Sequence, residues 1–236
     1  MSDPEQNRLL AALPQRVKDQ LFPDLRLVML PLGKVIFEAK QEIRYVYFPS
    51  DCIVSLIYVL LDGHSAEISV VGREGIVGVS AFMGGASTTS RAVVQSAGSA
   101  YRLPTSVIRQ QFDNDSATRI LMLLYTQMLI TQMAQTAVCN RHHTILQQLC
   151  RWLLLSIDRL PSNHLTMTQE LIANMLGVRR EGVTEAACKL QKMGVIKYQR
   201  GHIRVIDRPK LEEICCECYA MARRETDRLA GCAKHL

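Results

Sequence analysis

The sequence predicts an α+β protein with an N-terminal β-barrel or jelly roll, one long helix and a C-terminal winged helix-turn-helix. Three observations carry this prediction. Seven short runs rich in Val, Ile and Tyr, separated by turn residues, occupy residues 26–104. A stretch of 21 residues without a charge follows at 120–140. The segment after it combines a helix-turn-helix spacing with an excess of basic side chains.

The composition is that of an ordinary globular protein. The chain has 236 residues, 48% of them hydrophobic and 21% charged, which excludes a disordered or collagen-like chain and allows one large or two modest domains. Eight cysteines are too few for a disulfide scaffold of this length, and the polar start lacks the apolar segment of a secretion signal. We therefore expect a reducing, cytoplasmic compartment.

The net charge of +6 is unevenly distributed along the chain. Residues 1–140 carry 12 basic and 12 acidic side chains, residues 141–210 carry 12 and 5, and residues 211–236 carry 4 and 5. Such a local excess is typical of a nucleic-acid or membrane-surface module joined to a neutral domain. A randomly uneven surface is the alternative interpretation.

The first two predicted domains are a helical segment at 1–24 and a β domain at 25–112. Apolar residues recur at helical spacing over 5–22, where Pro23 ends the pattern. The predicted strands are 27–30, 34–38, 45–48, 53–60, 66–71, 91–96 and 100–103. Seven short strands with Gly and Pro between them indicate a sandwich or barrel.

The uncharged stretch predicts a long helix over 113–139. Its apolar residues at 120, 121, 123, 124, 128, 129, 130 and 133 cover more than one stripe, so the helix needs two partners. Polar residues such as Thr126 and Gln127 leave it short of a membrane span. We expect the β domain on one side and a second copy of the helix on the other, which makes a two-fold dimer. The alternative is a helix buried within one domain.

Residues 140–208 form the predicted winged helix-turn-helix, which begins with a helix at 142–159. With Gln169 as position 1, Ala173, Gly177 and Val183 stand at positions 5, 9 and 15. These positions need a small residue where the helices cross, a glycine in the turn and a branched apolar residue that seats the second helix. The first helix is capped either by Thr166, in a capping box with Gln169, or by Thr168.

The second helix, over 179–191, is the predicted recognition helix. Its apolar residues point inward, which leaves the polar ones outside. An arginine can bond both acceptors of guanine and a glutamate can accept from cytosine, so an exposed Arg-Arg-Glu start suits the major groove. Solvated charges on a helix start are the alternative. The predicted DNA contacts here are Thr168, Arg179, Arg180, Glu181, Thr184 and Glu185.

A β-hairpin with a glycine at its turn follows, over 195–198 and 203–206. A hairpin in this place is a wing. We expect Arg200 and His202 to contact DNA phosphates, which position the protein without specifying a sequence. A helical tail is predicted at 209–236, with its helix over 210–229.

These features together resemble the Crp/Fnr family of bacterial transcription regulators over about residues 25–210. The most specific match is VRREGV (178–183), in which Arg180 and Glu181 correspond to the family's base-reading pair. The runs EGIVGVSAF (74–82) and SRAVV (90–94) resemble the phosphate cassette of its cyclic-nucleotide-binding-like domain. The resemblance implies a homodimer that binds a palindromic site in double-stranded DNA, with RNA polymerase as a further partner.

The cassette departs from the nucleotide-binding members. The resemblance places effector contacts at Gly78, Ser90 and Arg91. However, Val79 stands where those members bond the ribose with a glutamate, and Ser90 and Arg91 reverse their Arg-Ser order. Without the carboxylate a charge-assisted hydrogen bond is lost. We therefore expect an effector other than cyclic AMP, or a domain that has lost its ligand, and no cofactor.

Cysteines near the C-terminus raise a metal or redox alternative. The residues concerned are Cys215, Cys216, Cys218, Cys232 and His235. Paired C-x(2–4)-C spacing of a structural zinc site is absent, so we expect reduced, unliganded thiols and no metal. No cysteine precedes Cys52, which disfavours the N-terminal iron–sulfur cluster of some family members. His142 and His143 are interpreted as a polar hinge.

No catalytic motif is recognised in the chain. GVSAF (78–82) begins like a nucleophile elbow but lacks its second glycine. We therefore expect a DNA-binding regulator and not an enzyme, with no catalytic residue and no membrane partner. The alternative is a ligand- or redox-sensing protein whose winged helix contacts another protein.

Overall fold

The chain's computed structural model describes residues 3–85 and 87–233. At its N-terminus the helix predicted over 5–22 is divided into α1 (Arg8–Ala11) and α2 (Gln15–Leu21). Prediction of one helix was wrong because Pro14, which has no amide hydrogen, is extended at the start of α2. The predicted apolar face is nevertheless buried: Leu9, Leu10, Leu13, Val17 and Leu21.

All seven predicted strands are present. They are β1 (Arg26–Leu30), β2 (Val35–Phe37), β3 (Tyr45–Pro49), β4 (Ile53–Val59), β5 (Ser65–Val71), β6 (Arg91–Ser96) and β7 (Gly98–Pro104). They form two antiparallel sheets, in the orders β1-β7-β3 and β2-β6-β4-β5, which make an open roll and not a closed barrel. The core of the roll includes Phe48, Ile76 and Leu103.

Two helices follow the roll. The sequence did not predict α3 (Thr105–Asn114), and the long helix α4 runs over Ser116–His142. Asp115 caps α4 by accepting a hydrogen bond from the Thr118 amide. Met122 and Tyr125 of α4 are buried in the core of the roll, as predicted for one of its two faces. In the described part of the chain no helix is long and apolar enough to cross a membrane.

The C-terminal region contains the winged helix-turn-helix. Its elements are α5 (Ile145–Ile157), β8 (His164–Thr166), α6 (Gln169–Leu176), α7 (Arg180–Lys192), β9 (Ile196–Gln199) and β10 (His202–Val205). The strands form one sheet in the order β8-β10-β9, and β8 was not predicted. The core of this region also takes in Ile53 and Val70 from the roll, so the two domains share buried surface.

The tail contains two helices, α8 (Arg208–Ile214) and α9 (Glu217–Ala233). The prediction of one helix over 210–229 was wrong, because the chain is extended at Cys215. The two helices have different partners: α8 packs mainly against α5, whereas α9 packs mainly against α4. Tertiary packing therefore overrides the helical pattern of the sequence at this point.

Candidate nucleic-acid interface and sensor site

The helix-turn-helix has the geometry that its spacing predicts. Ala173 and Val183 are buried where α6 and α7 meet. Gly177 ends α6 with a φ of 66°, the left-handed conformation that glycine adopts without strain. Gly182 faces Ile145 so closely that an added Cβ would lie 2.6 Å from Ile145 Cδ1, which shows how tightly α7 packs on α5.

Thr168 is the cap of α6. Its Oγ1 accepts a hydrogen bond from the Leu171 amide at 3.2 Å. Thr166 lies instead at the end of β8, where its Oγ1 is 3.3 Å from His202 Nδ1 in β10. Of the two capping alternatives, the second is therefore the observed one, and Thr168 places a small exposed side chain beside the wing.

The polar residues of α7 face outward in its first two turns. Arg179, Arg180, Glu181 and Glu185 are exposed. Thr184 is half-buried because its hydroxyl donates to Gln169 Oε1 at 2.7 Å, a contact that holds α7 against α6. The outward residues are therefore four exposed charged side chains and one threonine whose hydroxyl is already hydrogen-bonded within the motif.

The wing is a tight hairpin between β9 and β10. His202 pairs with Gln199, which leaves Arg200 and Gly201 as a two-residue turn. Both have positive φ, 51° and 82°, as a type I′ turn requires. A left-handed conformation is unusual for arginine. The turn thereby presents the exposed Arg200 side chain at the tip of the wing.

The basic excess of residues 141–210 has two separate locations. Seven basic and three acidic residues belong to 169–205, the helix-turn-helix and wing. The buried arginines belong elsewhere: Arg159 pairs with Glu74 of the roll at 2.7 Å, and Arg151 is 4% exposed. Part of the excess therefore serves the junction between the domains and not the candidate DNA surface.

The start of the recognition helix faces the hairpin between β4 and β5. Ala66 lies so near the helix-turn-helix that its Cβ would be 3.3 Å from a Cβ added at Gly177. Arg180 and Glu181 line one wall of a groove of about 1030 Å³, and Asp62 and His64 of the hairpin line the other. The groove brings sensor residues to the edge of the candidate DNA surface.

The three predicted effector residues lie in two segments of the roll, the loop at Gly78 and the start of β6. Gly78, with a φ of 104°, lies against Ile43 and Val46. Ser90 is buried, and Arg91 at the start of β6 forms an ion pair with Glu38 at 3.2 Å. The guanidinium that an anion would need is therefore already paired with a carboxylate of the roll.

A buried polar chain between the two domains was missed by the sequence. Ser55 Oγ lies within hydrogen-bond distance of Glu67 Oε2 and Gln95 Oε1, and the Gln95 amide donates to Ser156 Oγ of α5 at 3.2 Å. Burial raises the pKa of Glu67 to about 7, although Ser55 and Arg151 act in the opposite direction. A lone Glu in a strand is no signal of such a chain.

Two cysteines of the tail lie beside residues at the end of α4. Cys139 and His143 of the α4 end meet Cys216 and Cys218, and all four donor atoms lie within 4.8 Å of one another. His143 is thus more than the polar hinge that the sequence suggested. Cys215 is not one of the four, but it interacts with the Cys216 thiol, and its Sγ lies 4.0 Å from the Gln147 carbonyl oxygen. His235 and the Cys232 side chain lie outside the described residues.

Known structures share this fold. A Crp/Fnr-family protein from Eubacterium rectale superposes with a TM-score of 0.69 at 16% identity, over 89% of this chain and 98% of that one. FixK2 from Bradyrhizobium japonicum gives 0.68 at 16% identity, over 81% and 98%. The c-di-GMP-responsive regulator CLP from Xanthomonas campestris gives 0.63 at 14%, over 82% and 100%. At these identities the likeness shows the fold alone.

Two family models match the chain, whereas no curated protein does. The cyclic nucleotide-binding domain matches residues 27–115, and the Crp-like helix-turn-helix domain matches residues 147–214. The two matches cover the roll and the candidate DNA surface, in the order that the Crp/Fnr resemblance implied. The chain belongs to the Crp/Fnr family, whose members are transcription regulators with a helix-turn-helix DNA-binding domain and not enzymes.

Proposed function

We propose that this regulator binds an inverted-repeat DNA site as a homodimer, in the cytoplasm, with a roll domain that does not bind cyclic AMP. The observation that carries the proposal is the outward placement of Arg180 and Glu181 on α7, beside a basic wing. An exposed recognition helix next to a wing can enter the major groove while the wing contacts phosphates.

Each predicted contact has a distinct role in this proposal. Arg180 and Glu181 read base edges from the first turn of α7, with Glu185 one turn further on. Arg179 offers its charge to phosphate, as do Arg200 and His202 of the wing. Thr168 is a small polar contact at the α6 start, and Thr184 contributes its methyl group because its hydroxyl is bound to Gln169.

A stripe on α4 supports the homodimer. The exposed positions 116, 120, 123, 127, 130, 134 and 137 repeat at spacings of four and three, the heptad of a coiled coil. The stripe contains Ile120, Leu123 and Ile130, which are 43%, 48% and 58% exposed, and no charged residue. A second α4 is the partner that this repeat fits, since both helices then offer the same apolar seam.

The inverted repeat follows from the two-fold symmetry. Two α4 helices paired along the stripe carry two recognition helices related by the same axis. Their half-sites must therefore be inverted copies, with centres separated by whole helical turns of DNA. RNA polymerase is a further partner that this arrangement on DNA would allow.

The sensor has features that disfavour cyclic AMP. Val79 follows Gly78 and offers no carboxylate to a ribose hydroxyl, and Arg91 is paired with Glu38. The similar protein CLP is described as c-di-GMP responsive, so a regulator of this fold can respond to a nucleotide other than cyclic AMP. We propose a non-cyclic-AMP effector or none, with Gly78, Ser90 and Arg91 as the residues to test first.

Selection of random duplexes by the purified full-length chain tests the proposal. We expect an enriched inverted repeat, and binding to it that weakens steeply with salt because phosphate contacts release counterions. The same titration with added cyclic AMP should show no change. An enriched site without symmetry would exclude the two-fold arrangement. No duplex binding at low salt, with or without reductant, would favour a winged helix that contacts a protein.

A further inference from the structure

We infer that Cys139, His143, Cys216 and Cys218 form a binding site for one zinc ion, which joins the tail helix to the end of the long helix. The four donor atoms lie within 4.8 Å of one another and come from two segments: the last turn of α4 with the residue after it, and the residue before α9 with its first turn. Three thiolates and one imidazole are a standard donor set for structural zinc.

The distances fit a single tetrahedral ion. With zinc–sulfur bonds of about 2.3 Å and zinc–nitrogen bonds of about 2.0 Å, two sulfurs lie about 3.8 Å apart and a sulfur and nitrogen about 3.5 Å. Cys139 and Cys216 Sγ are 3.6 Å apart, and Cys218 Sγ is 3.5 Å from His143 Nδ1. The cysteines of an iron–sulfur cluster bind different iron atoms and must be spaced more widely.

The second nitrogen of His143 provides an independent indication. Its Nε2 lies 3.4 Å from a carboxylate oxygen of Glu217. A metal-binding histidine commonly donates its other N–H to a carboxylate, which fixes the ring and makes the binding nitrogen more basic. The orientation of His143, with Nδ1 toward the thiols and Nε2 toward Glu217, is the one that this arrangement needs.

The surroundings also compensate the charge of the site. A zinc ion with three thiolates and a neutral histidine carries one net negative charge, and the three thiols give up their protons on binding. Arg151 is buried, acts electrostatically on Cys139 and forms no ion pair among the described residues. Its guanidinium donates to Thr136 Oγ1 and supplies the positive charge that the loaded site lacks.

The position of the site gives it a structural consequence. His143 lies between α4 and α5, the helix on which the recognition helix packs, while Cys216 and Cys218 lie at the start of α9. One ion therefore links α4, the start of the DNA-binding domain and the tail. The sequence spacing predicted no metal because two of the four donors are more than 70 residues from the others.

Metal analysis of the full-length protein, purified without chelator, tests the site directly. We expect about one zinc per chain. Cobalt(II) added to the reduced, zinc-free protein should give the visible bands of a tetrahedral site and sulfur-to-cobalt charge transfer. Zinc removal should also speed amide exchange in α9. A zinc-free preparation whose cobalt spectrum remains octahedral would overturn the proposal.

Two cysteines provide a matched pair of variants. C216S should weaken zinc binding at least 100-fold in a chelator competition, whereas C188S, at an exposed cysteine of α7, should bind as the natural chain does. E217Q, at an exposed residue, should weaken binding about 10- to 100-fold without loss of fold. Equal affinity of all three variants would contradict the site. So would iron with acid-labile sulfide, or a Cys139–Cys216 disulfide in the freshly isolated protein.

Discussion

The recognition surface and the junction between the two domains use charged residues in opposite ways. On the recognition surface, Arg180, Glu181 and Arg200 are exposed and are close to one another in sequence. At the junction, Glu67 and Arg159 are buried, and Arg159 forms an ion pair with Glu74, which lies far away in the sequence. Substitutions on the first surface should therefore change DNA binding and leave stability intact, whereas those at the junction should change stability first.

The largest effect is expected from a substitution in the exposed stripe of α4. I130E places a carboxylate in the centre of the proposed seam, where burial of an unpaired charge is costly. We expect a folded monomer whose affinity for an inverted repeat falls about 100-fold or more, because the second half-site no longer binds as part of the same particle. Sedimentation and duplex titration measure both effects.

The matched control for this change is M29E, which adds a carboxylate at an exposed apolar residue of β1. It should remain dimeric and bind DNA normally. If I130E stays a dimer, or if M29E dissociates equally, the stripe is not the dimer interface.

The junction should respond to pH through Glu67. Its pKa is raised to about 7 by burial, against an ordinary value of 4.5. The folded form therefore holds a proton that the unfolded chain loses above pH 4.5, and stability falls as pH rises from about 4.5 to about 7. The expected loss is up to about 3 kcal/mol, complete above the folded pKa.

The hydrogen-bond chain explains why the neutral form is preferred. The Ser55 hydroxyl has one proton and faces two acceptors, Glu67 and Gln95. A protonated Glu67 donates to Ser55, which then donates to Gln95, so each contact has one proton.

Urea denaturation at pH 5 and pH 8.5 measures this effect. E67Q should remove most of the pH dependence, because an amide can donate at either pH. E170Q, at an exposed residue of α6, should keep it. A natural chain that is equally stable at both pH values would show that Arg151 and Arg159 hold Glu67 ionised instead.

The same contrast explains what the sequence could predict. The seven strands, the helix-turn-helix and the wing are patterns within short stretches, so alternation and spacing were sufficient to find them. The position of Gly177 alone fixes the turn between α6 and α7. The polar chain at Glu67 and the cluster at Cys139 could not be found this way, because their members meet only when α5 and α9 pack on the roll and on α4.

Two sequence-based predictions of single helices were wrong for different reasons. The tail was predicted as one helix, but Leu211 of α8 and Tyr219 of α9 are buried against the DNA-binding region on either side of Cys215. The apolar pattern is helical throughout, but α8 packs mainly against α5 and α9 mainly against α4. At the N-terminus the local signal was available, since Pro14 was visible in the sequence but was outweighed by the regular spacing of leucines.

The next largest effect is expected at Arg180, the proposed base-reading residue. R180A should cost about 1–3 kcal/mol of binding free energy on the selected duplex and relax its preference at one base pair. R179A, at the neighbouring exposed arginine, is the matched variant, and we expect it to weaken specific and random duplexes alike. Fluorescence anisotropy titrations on both duplexes distinguish base reading from phosphate contact. Equal losses for R180A on the two would assign it to phosphate contact.

The smallest effect is expected at Arg200, the tip of the wing, where one residue affects both stability and DNA binding. Arg200 is left-handed, at a cost of about 1 kcal/mol for a side chain with a Cβ, and asparagine tolerates this conformation better. R200N should therefore raise the free energy of unfolding by up to about 1 kcal/mol while it removes one phosphate contact. The slope of log affinity for DNA against log salt concentration should fall in magnitude by about one, equally on specific and random duplexes. An arginine kept in a strained turn only for DNA would show both changes together, whereas a stability gain with an unchanged salt slope would remove the wing tip from the interface.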